Sequence, residues 1–228
     1  MRKTLATILS CCTLALTLGL VACSGGSPSP SGTEAFGSAE SDPNSPSSDE
    51  AAKAEYDRAG ALYEQGKYYS AKEAYEKSEY GDWEQRAAEC AQPMPETGEL
   101  FHDPNMTSNN MILNFIVNDD GAGTGTYISV YTKDNTLVET VFIKGGGSVE
   151  TRLPGGEYYV KDSTGTEWYG EDEQFGPDGH YESMVFNSVE GDPCLVVLEE
   201  GYQWDITIND ADSSGRSVQS QEESWGNR

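Results

Sequence analysis

Leu137-Val138-Glu139-Thr140-Val141-Phe142-Ile143, a turn at Gly145-Gly146-Gly147, and Ser148-Val149-Glu150-Thr151-Arg152-Leu153 together decide the fold of this chain of 228 residues. β-Branched and aromatic residues fill both runs and glycines separate them, which is the composition of paired strands. The first run does not alternate cleanly. Val138, Thr140 and Phe142 stand against Glu139, Val141 and Ile143, so neither face is assigned to a core. Working outward, similar runs recur at 111–117, 126–131, 157–161, 166–169, 181–186, 195–198 and 202–208. Turn residues separate them: Asp119-Asp120-Gly121, Asp134-Asn135, Gly155-Gly156 and Gly201. Short strands at this spacing predict an antiparallel β-sandwich over 109–210.

Upstream the texture is different. Residues 51–92 lack proline and are rich in Ala, Glu, Lys and Tyr, with Ala54, Ala61, Leu62, Ala71, Ala74 and Tyr75 at helical intervals. Gly66 and Gly81 interrupt the pattern, predicting helices over 51–65, 68–78 and 83–90, closed by Pro93 and Pro95. The expected fold class is therefore α+β, a small helical hairpin followed by the sandwich. Residues 23–50 are dominated by Ser, Gly, Pro and acids, and 211–228 are nearly as polar, so both are expected to be disordered.

Arg2 and Lys3 precede an apolar run that stops at Leu20-Val21-Ala22-Cys23. The run is short for a bilayer span and has the charged start of a signal peptide over 1–22. Its end resembles the bacterial lipobox. That resemblance implies a diacylglyceryl group on Cys23, cleavage after Ala22, and a lipoprotein held to the extracytoplasmic face of the cell membrane by its acyl chains. Leu62, Tyr63, Gly66, Tyr68, Ala71 and Tyr75 resemble one tetratricopeptide-like hairpin, which implies a protein-interaction ancestry, although stacked arrays need about three units to form a groove. Leu153 to Val160 resembles the turn and strand of prealbumin-like and adhesin-like sandwiches. The longer stretch through Trp168, Tyr169, Phe175 and Tyr181 is similar to a module of uncharacterised bacterial lipoproteins, which implies an extracytoplasmic β domain.

The net charge of −25, from 39 acids against 14 basic residues, excludes nucleic acid as a partner and leaves membrane attachment to lipid rather than to headgroup electrostatics. Of five cysteines, Cys11 and Cys12 fall in the signal and Cys23 carries the lipid. Cys90 and Cys194 remain, either as a bridge between the helical and β segments or as small buried residues. Neither lies in a CxxC or beside a histidine, so redox catalysis and a zinc cluster of cysteines are not expected.

Chemistry is sparse. His102 and His180 are the two histidines, no HExxH, GxSxG or phosphate loop occurs, and acid pairs such as Asp119 with Asp120 or Glu171 with Glu173 belong by default to turns and surfaces. No metal, cofactor or enzymatic activity is expected. The favoured expectation is a non-enzymatic envelope protein that binds a protein partner, with Tyr63, Tyr68 and Tyr75 on the hairpin and Trp168, Tyr169 and Phe175 in the loop as candidate contacts. Two rivals stay open. The aromatic and acidic loop 168–181 could stack on a glycan or hold a solute, or, less well supported, the chain could be a cell-wall hydrolase. For the loop aromatics the competing reading is that they plug the end of the sandwich.

Overall fold

The computed structural model describes residues 47–107, 111–119, 121–186, 189–199, 201–208 and the backbone of 219–222. The expected signal peptide, Cys23 and the expected linker up to residue 46 lie outside the described residues. Helix α1 (Ser48–Glu64) starts three residues before the sequence pattern suggests, because Ser47 and Glu50 form a reciprocal capping box. It ends where Gly66, at φ +77°, lets the amides of Gly66 and Lys67 bond back to Tyr63 and Leu62. Helix α2 (Tyr68–Ser78) then runs back along α1, and α3 (Trp83–Glu89) closes the unit. Ala59, Ala71 and Ala74 are fully buried at the crossing, which is what small residues allow, and Tyr75 packs edge-on against Tyr56 at 5.1 Å.

The β region contains ten strands. They are β1 (Gly98–His102), β2 (Met111–Val117), β3 (Gly125–Thr132), β4 (Leu137–Lys144), β5 (Ser148–Leu153), β6 (Gly156–Gly165), β7 (His180–Val185), β8 (Leu195–Leu198), β9 (Gln203–Ile208) and β10 (Gln219–Glu222). Seven form one sheet in the order β1-β4-β3-β6-β7-β10, with β8 beside the first half of β6 and β7 beside the second. The other sheet is β5-β2-β9, whose β2–β9 pair is parallel, so the sandwich is antiparallel with this one exception. Its core is aliphatic. Met111, Leu113, Phe115 and Val117 alternate inward along β2 and meet Ile128, Val130, Val141, Ile143, Val160 and Leu198 from the larger sheet. Burying each such side chain contributes roughly 1.5–3 kcal/mol.

The larger sheet is covered on its second face as well. Phe142 and Tyr127, opposite in register, point away from the sandwich core and meet Trp168 and Phe175 from the loop 166–179, with Met94 and Leu100 beside them. The hairpin packs outside that loop. Residues on both faces of β3 and β4 are therefore buried, which is why the opening run carries apolar residues without a period of two.

Three element assignments differ from the sequence reading, and the alternatives left open for the two cysteines are decided. Residues 166–169 are not a strand; Trp168 makes a single bridge, its carbonyl accepting from the Gln92 amide at 2.7 Å. The β region begins at Gly98 rather than 109, and within the expected disordered tail Gln219–Glu222 pairs with β7 as an edge strand. The short, polar composition of β10 gave no strand signal. Finally, Cys90 and Cys194 are both free thiols. Cys90 is enclosed in the helical core with its Sγ 3.3 Å from the Arg86 carbonyl, whereas Cys194 is half-buried just before β8, so no bridge joins the two units.

Candidate functional site

Glu173 fastens the hairpin to the sheet. The N-terminus of α2 has no capping side chain of its own, because Lys67 occupies the cap position. From more than a hundred residues away, the carboxylate of Glu173 accepts the Tyr69 amide at 2.6 Å, the Ser70 amide at 3.2 Å and the Ser70 hydroxyl at 2.5 Å. A negative charge at that position satisfies orphan donors and complements the helix dipole. Glu173 is buried, and its reading as a surface acid is corrected accordingly. Close by, the Lys72 ammonium donates to the Tyr169 hydroxyl at 2.9 Å, and that hydroxyl donates to Glu167 at 2.5 Å. These contacts raise the Lys72 pKa and lower that of Glu167, in each case chiefly through the Tyr169 hydrogen bond. Two glycines permit the approach. A Cβ on Gly165 would sit 2.7 Å from the Phe175 ring, and one on Gly176, at φ +63°, 2.7 Å from Tyr69.

The loop aromatics are therefore not a free binding surface. Trp168 is 4% exposed and Tyr169 and Phe175 are each 2% exposed, with Trp168 edge-on to Phe142 at 5.2 Å and to Phe175 at 5.1 Å. Among the described residues they join sheet to helices, a role beyond the plugging that composition suggested. On the hairpin Tyr75 is likewise buried. Tyr68 is half-buried against Gly170, while Tyr63, 37% exposed, stands edge-on to Tyr68 at 5.1 Å.

Beside the loop, the same sheet face opens into a shallow hollow of about 20 Å³, room for about one water and far below the roughly 300–1,000 Å³ usual for ligand pockets. Tyr127, Ser163 and Tyr181 form one row across β3, β6 and β7, and Tyr131 lies under the Lys161 ammonium at 5.9 Å. Gln174 closes the side toward the loop. Burial raises the Tyr127 pKa, and its hydroxyl reaches Glu171 at 3.5 Å. Rings, hydroxyls, an amide and one ammonium can stack on and hydrogen-bond a polar ligand. These row partners on neighbouring strands lie far apart in sequence, so no local motif announces them.

A second polar group lies on the opposite face, at the β1 edge. Glu139 is fully buried among the aliphatic residues of β4, and its Oε2 lies 2.5 Å from His102 Nδ1 on β1. Burial pushes the Glu139 carboxyl up to about 7, and the hydrogen bond to Glu139 raises the His102 imidazole in turn. Both directions describe one shared proton. Glu99 joins the two, with one ligand atom from each residue lying within 4.8 Å of the others. The only sequence signal was Glu139 itself, a charged residue in an otherwise apolar strand.

No family model, curated protein or solved structure matches the chain.

Proposed function

We propose that this chain is a lipid-anchored, extracytoplasmic protein of the bacterial envelope that works by binding a protein partner and performs no catalysis. Cys23, at the end of Leu20-Val21-Ala22-Cys23, carries the acyl chains, and the segment 24–46 tethers the folded part. The observation that carries the binding reading is the hairpin's orientation. Its α2 side is fixed to the β-sheet through Glu173 and Tyr169, which leaves the aromatic tip of α1, Tyr63 with Tyr68 behind it, as the accessible contact. An amphipathic ring on a fastened helix loses little freedom on binding.

The test is a photocrosslinking residue at position 63 in living cells, with a second at position 131. A discrete adduct from position 63 that disappears with Tyr68→Ala supports the reading; adducts of no defined size overturn it. Metabolic labelling with a palmitate analogue checks the anchor, and label surviving in Cys23→Ala would remove Cys23 from its role.

One observation favours a second reading, a glycan- or solute-binding lipoprotein: the hollow lined by Tyr127, Tyr131 and Lys161, which takes over from the buried loop as the ligand surface. Binding of wall glycan fragments, weakened at least tenfold by Tyr131→Ala with position 63 silent, would establish this reading instead.

A further inference from the structure

We propose that Glu99, His102 and Glu139 form a binding site for a divalent first-row transition ion, for which Zn²⁺ is the probe. Three separate features of the structure lead there. The first is a β-bulge. In β1, Glu99 pairs with Val141 and His102 with Glu139, with the register slipping between Glu99 and Phe101. Val141 and Glu139 are two residues apart and share a face, so the bulge brings Glu99 and His102, three apart in sequence, onto that face together. In a regular strand they would point to opposite sides. Bulges of this kind re-aim side chains at sheet edges.

The second feature is an unsatisfied buried carboxyl. Glu139 is 0% exposed, and while its Oε2 meets His102, its Oε1 has no hydrogen-bond partner. The buried Thr151 hydroxyl of β5 lies beside this carboxyl, near enough to favour its charged form though not in ordinary hydrogen-bond geometry. Leaving such an atom buried without a partner is costly, because the hydrogen bonds it makes to water when unfolded are not replaced. A cation held by the carboxyl would offset that cost at Glu139.

The third is the donor set. One imidazole and two carboxylates, each with a ligand atom within 4.8 Å of the others, match what Zn²⁺ and its neighbours accept. Calcium takes six to eight oxygens and is poorly served by a nitrogen and two side-chain carboxyls. A tetrahedral ion with bonds of about 2.0–2.2 Å separates its ligand atoms by about 3.3 Å. The His102–Glu139 pair therefore opens from 2.5 Å and gives up its shared proton, while Glu99, exposed and on the edge strand, swings inward. With three protein ligands the fourth position faces solvent past Glu99. The site is independent of what the hairpin or the hollow binds.

The experiment is calorimetric titration of the full chain in detergent, stripped with chelator, with Zn²⁺ in the presence of millimolar Mg²⁺ and Ca²⁺. One equivalent is expected, at micromolar affinity or tighter, with proton release and a rise in melting temperature. His102→Ala and Glu139→Gln should weaken binding at least a hundredfold and Glu99→Gln about tenfold. Glu171→Gln, an acid elsewhere on the surface, should leave it unchanged. Because Glu99 is exposed, the Glu99→Gln variant keeps its fold and separates loss of a ligand from loss of structure. Absence of a saturable one-to-one phase, or a phase indifferent to Glu99→Gln and His102→Ala, would overturn the site, the latter by showing diffuse binding to an acidic surface.

Discussion

The two faces of the seven-stranded sheet are covered by different means. On one face a second sheet lies against it, and the contact is a continuous aliphatic core supplied by strands that alternate inward and outward. On the other, a loop with three buried rings, Trp168, Tyr169 and Phe175, and a set of hydrogen bonds to charged groups attach a helical hairpin. Area and shape complementarity maintain the first contact; the second depends on a few placed residues. Aliphatic cover degrades gradually when truncated, whereas cover of the second kind is expected to detach as a unit.

Truncating one large residue on each face gives the largest effects and breaks the comparison if the faces behave alike. Leu113→Ala and Trp168→Ala should each cost about 3–5 kcal/mol. The expected difference lies in the form of the transition. Leu113→Ala should unfold helices and strands together in a single step at lower denaturant. Trp168→Ala should release the hairpin first, seen as a separate loss of helical circular dichroism. A single coincident transition in Trp168→Ala would mean that the hairpin belongs to the sandwich core in energetic terms.

Glu173→Ala is the next largest, at about 2 kcal/mol, since it removes hydrogen bonds to a buried charged group and a helix cap that α2 cannot replace. Glu173→Gln should recover part of this, because an amide oxygen still accepts from the Tyr69 amide. Equal losses in both variants would show that packing of the side chain matters and that its charge does not.

A smaller effect concerns the two thiols, which report on hairpin attachment. Burial pushes the Cys90 thiol up to about 11, and it faces the helical core, so mass mapping after exposure to an alkylating reagent should find label on Cys194 and little on Cys90. In Glu173→Ala, Cys90 labelling should accelerate roughly in proportion to the lost attachment free energy, about tenfold per 1.4 kcal/mol. Unchanged Cys90 protection would place its shielding within the hairpin alone.

Legibility in the sequence follows the same division. β2, β5, β8 and α2 coincide with the runs read from pattern, because each satisfies a local rule: alternation, a glycine turn, or helical spacing ended by glycine. The opening run 137–143 was legible as a strand but not as to its face, since Phe142 is buried by Trp168 and Phe175, whose position depends on contacts more than twenty residues away. Trp168, Tyr169 and Phe175 stand out in the sequence as candidate contacts, yet the same composition suits an exposed ligand loop and an internal joint. Only the location of the hairpin distinguishes the two. Glu173 as a helix cap and the His102–Glu139 pair were not legible at all, because both depend on partners brought together by tertiary folding and, for His102, on a bulge that pattern alone cannot place.

The smallest expected effect tests whether the aliphatic face tolerates Glu139, an acid buried to 0% exposure. In chelator-treated protein, Glu139 has a folded pKa raised by burial to about 7, and His102 is raised by Glu139. A carboxyl raised above its unfolded value favours folding while protonated, and that contribution is lost as pH rises. An imidazole raised by its partner contributes below its unfolded value near 6.5 and loses that contribution as pH climbs through the folded one. The signs agree: stability falls with rising pH, between about 4.5 and 7 for the carboxyl and above about 6.5 for the imidazole. The size of this fall should be on the order of 1 kcal/mol, the imidazole contact offsetting part of the burial penalty. Glu139→Gln should flatten this slope, matching the wild type near pH 5, where the carboxyl is protonated, and exceeding its stability at pH 8, where the wild-type carboxylate is charged and buried. A wild-type slope of opposite sign would mean that water reaches Glu139 and that the β1 edge opens in solution, so the strand-covered face would no longer be the closed one.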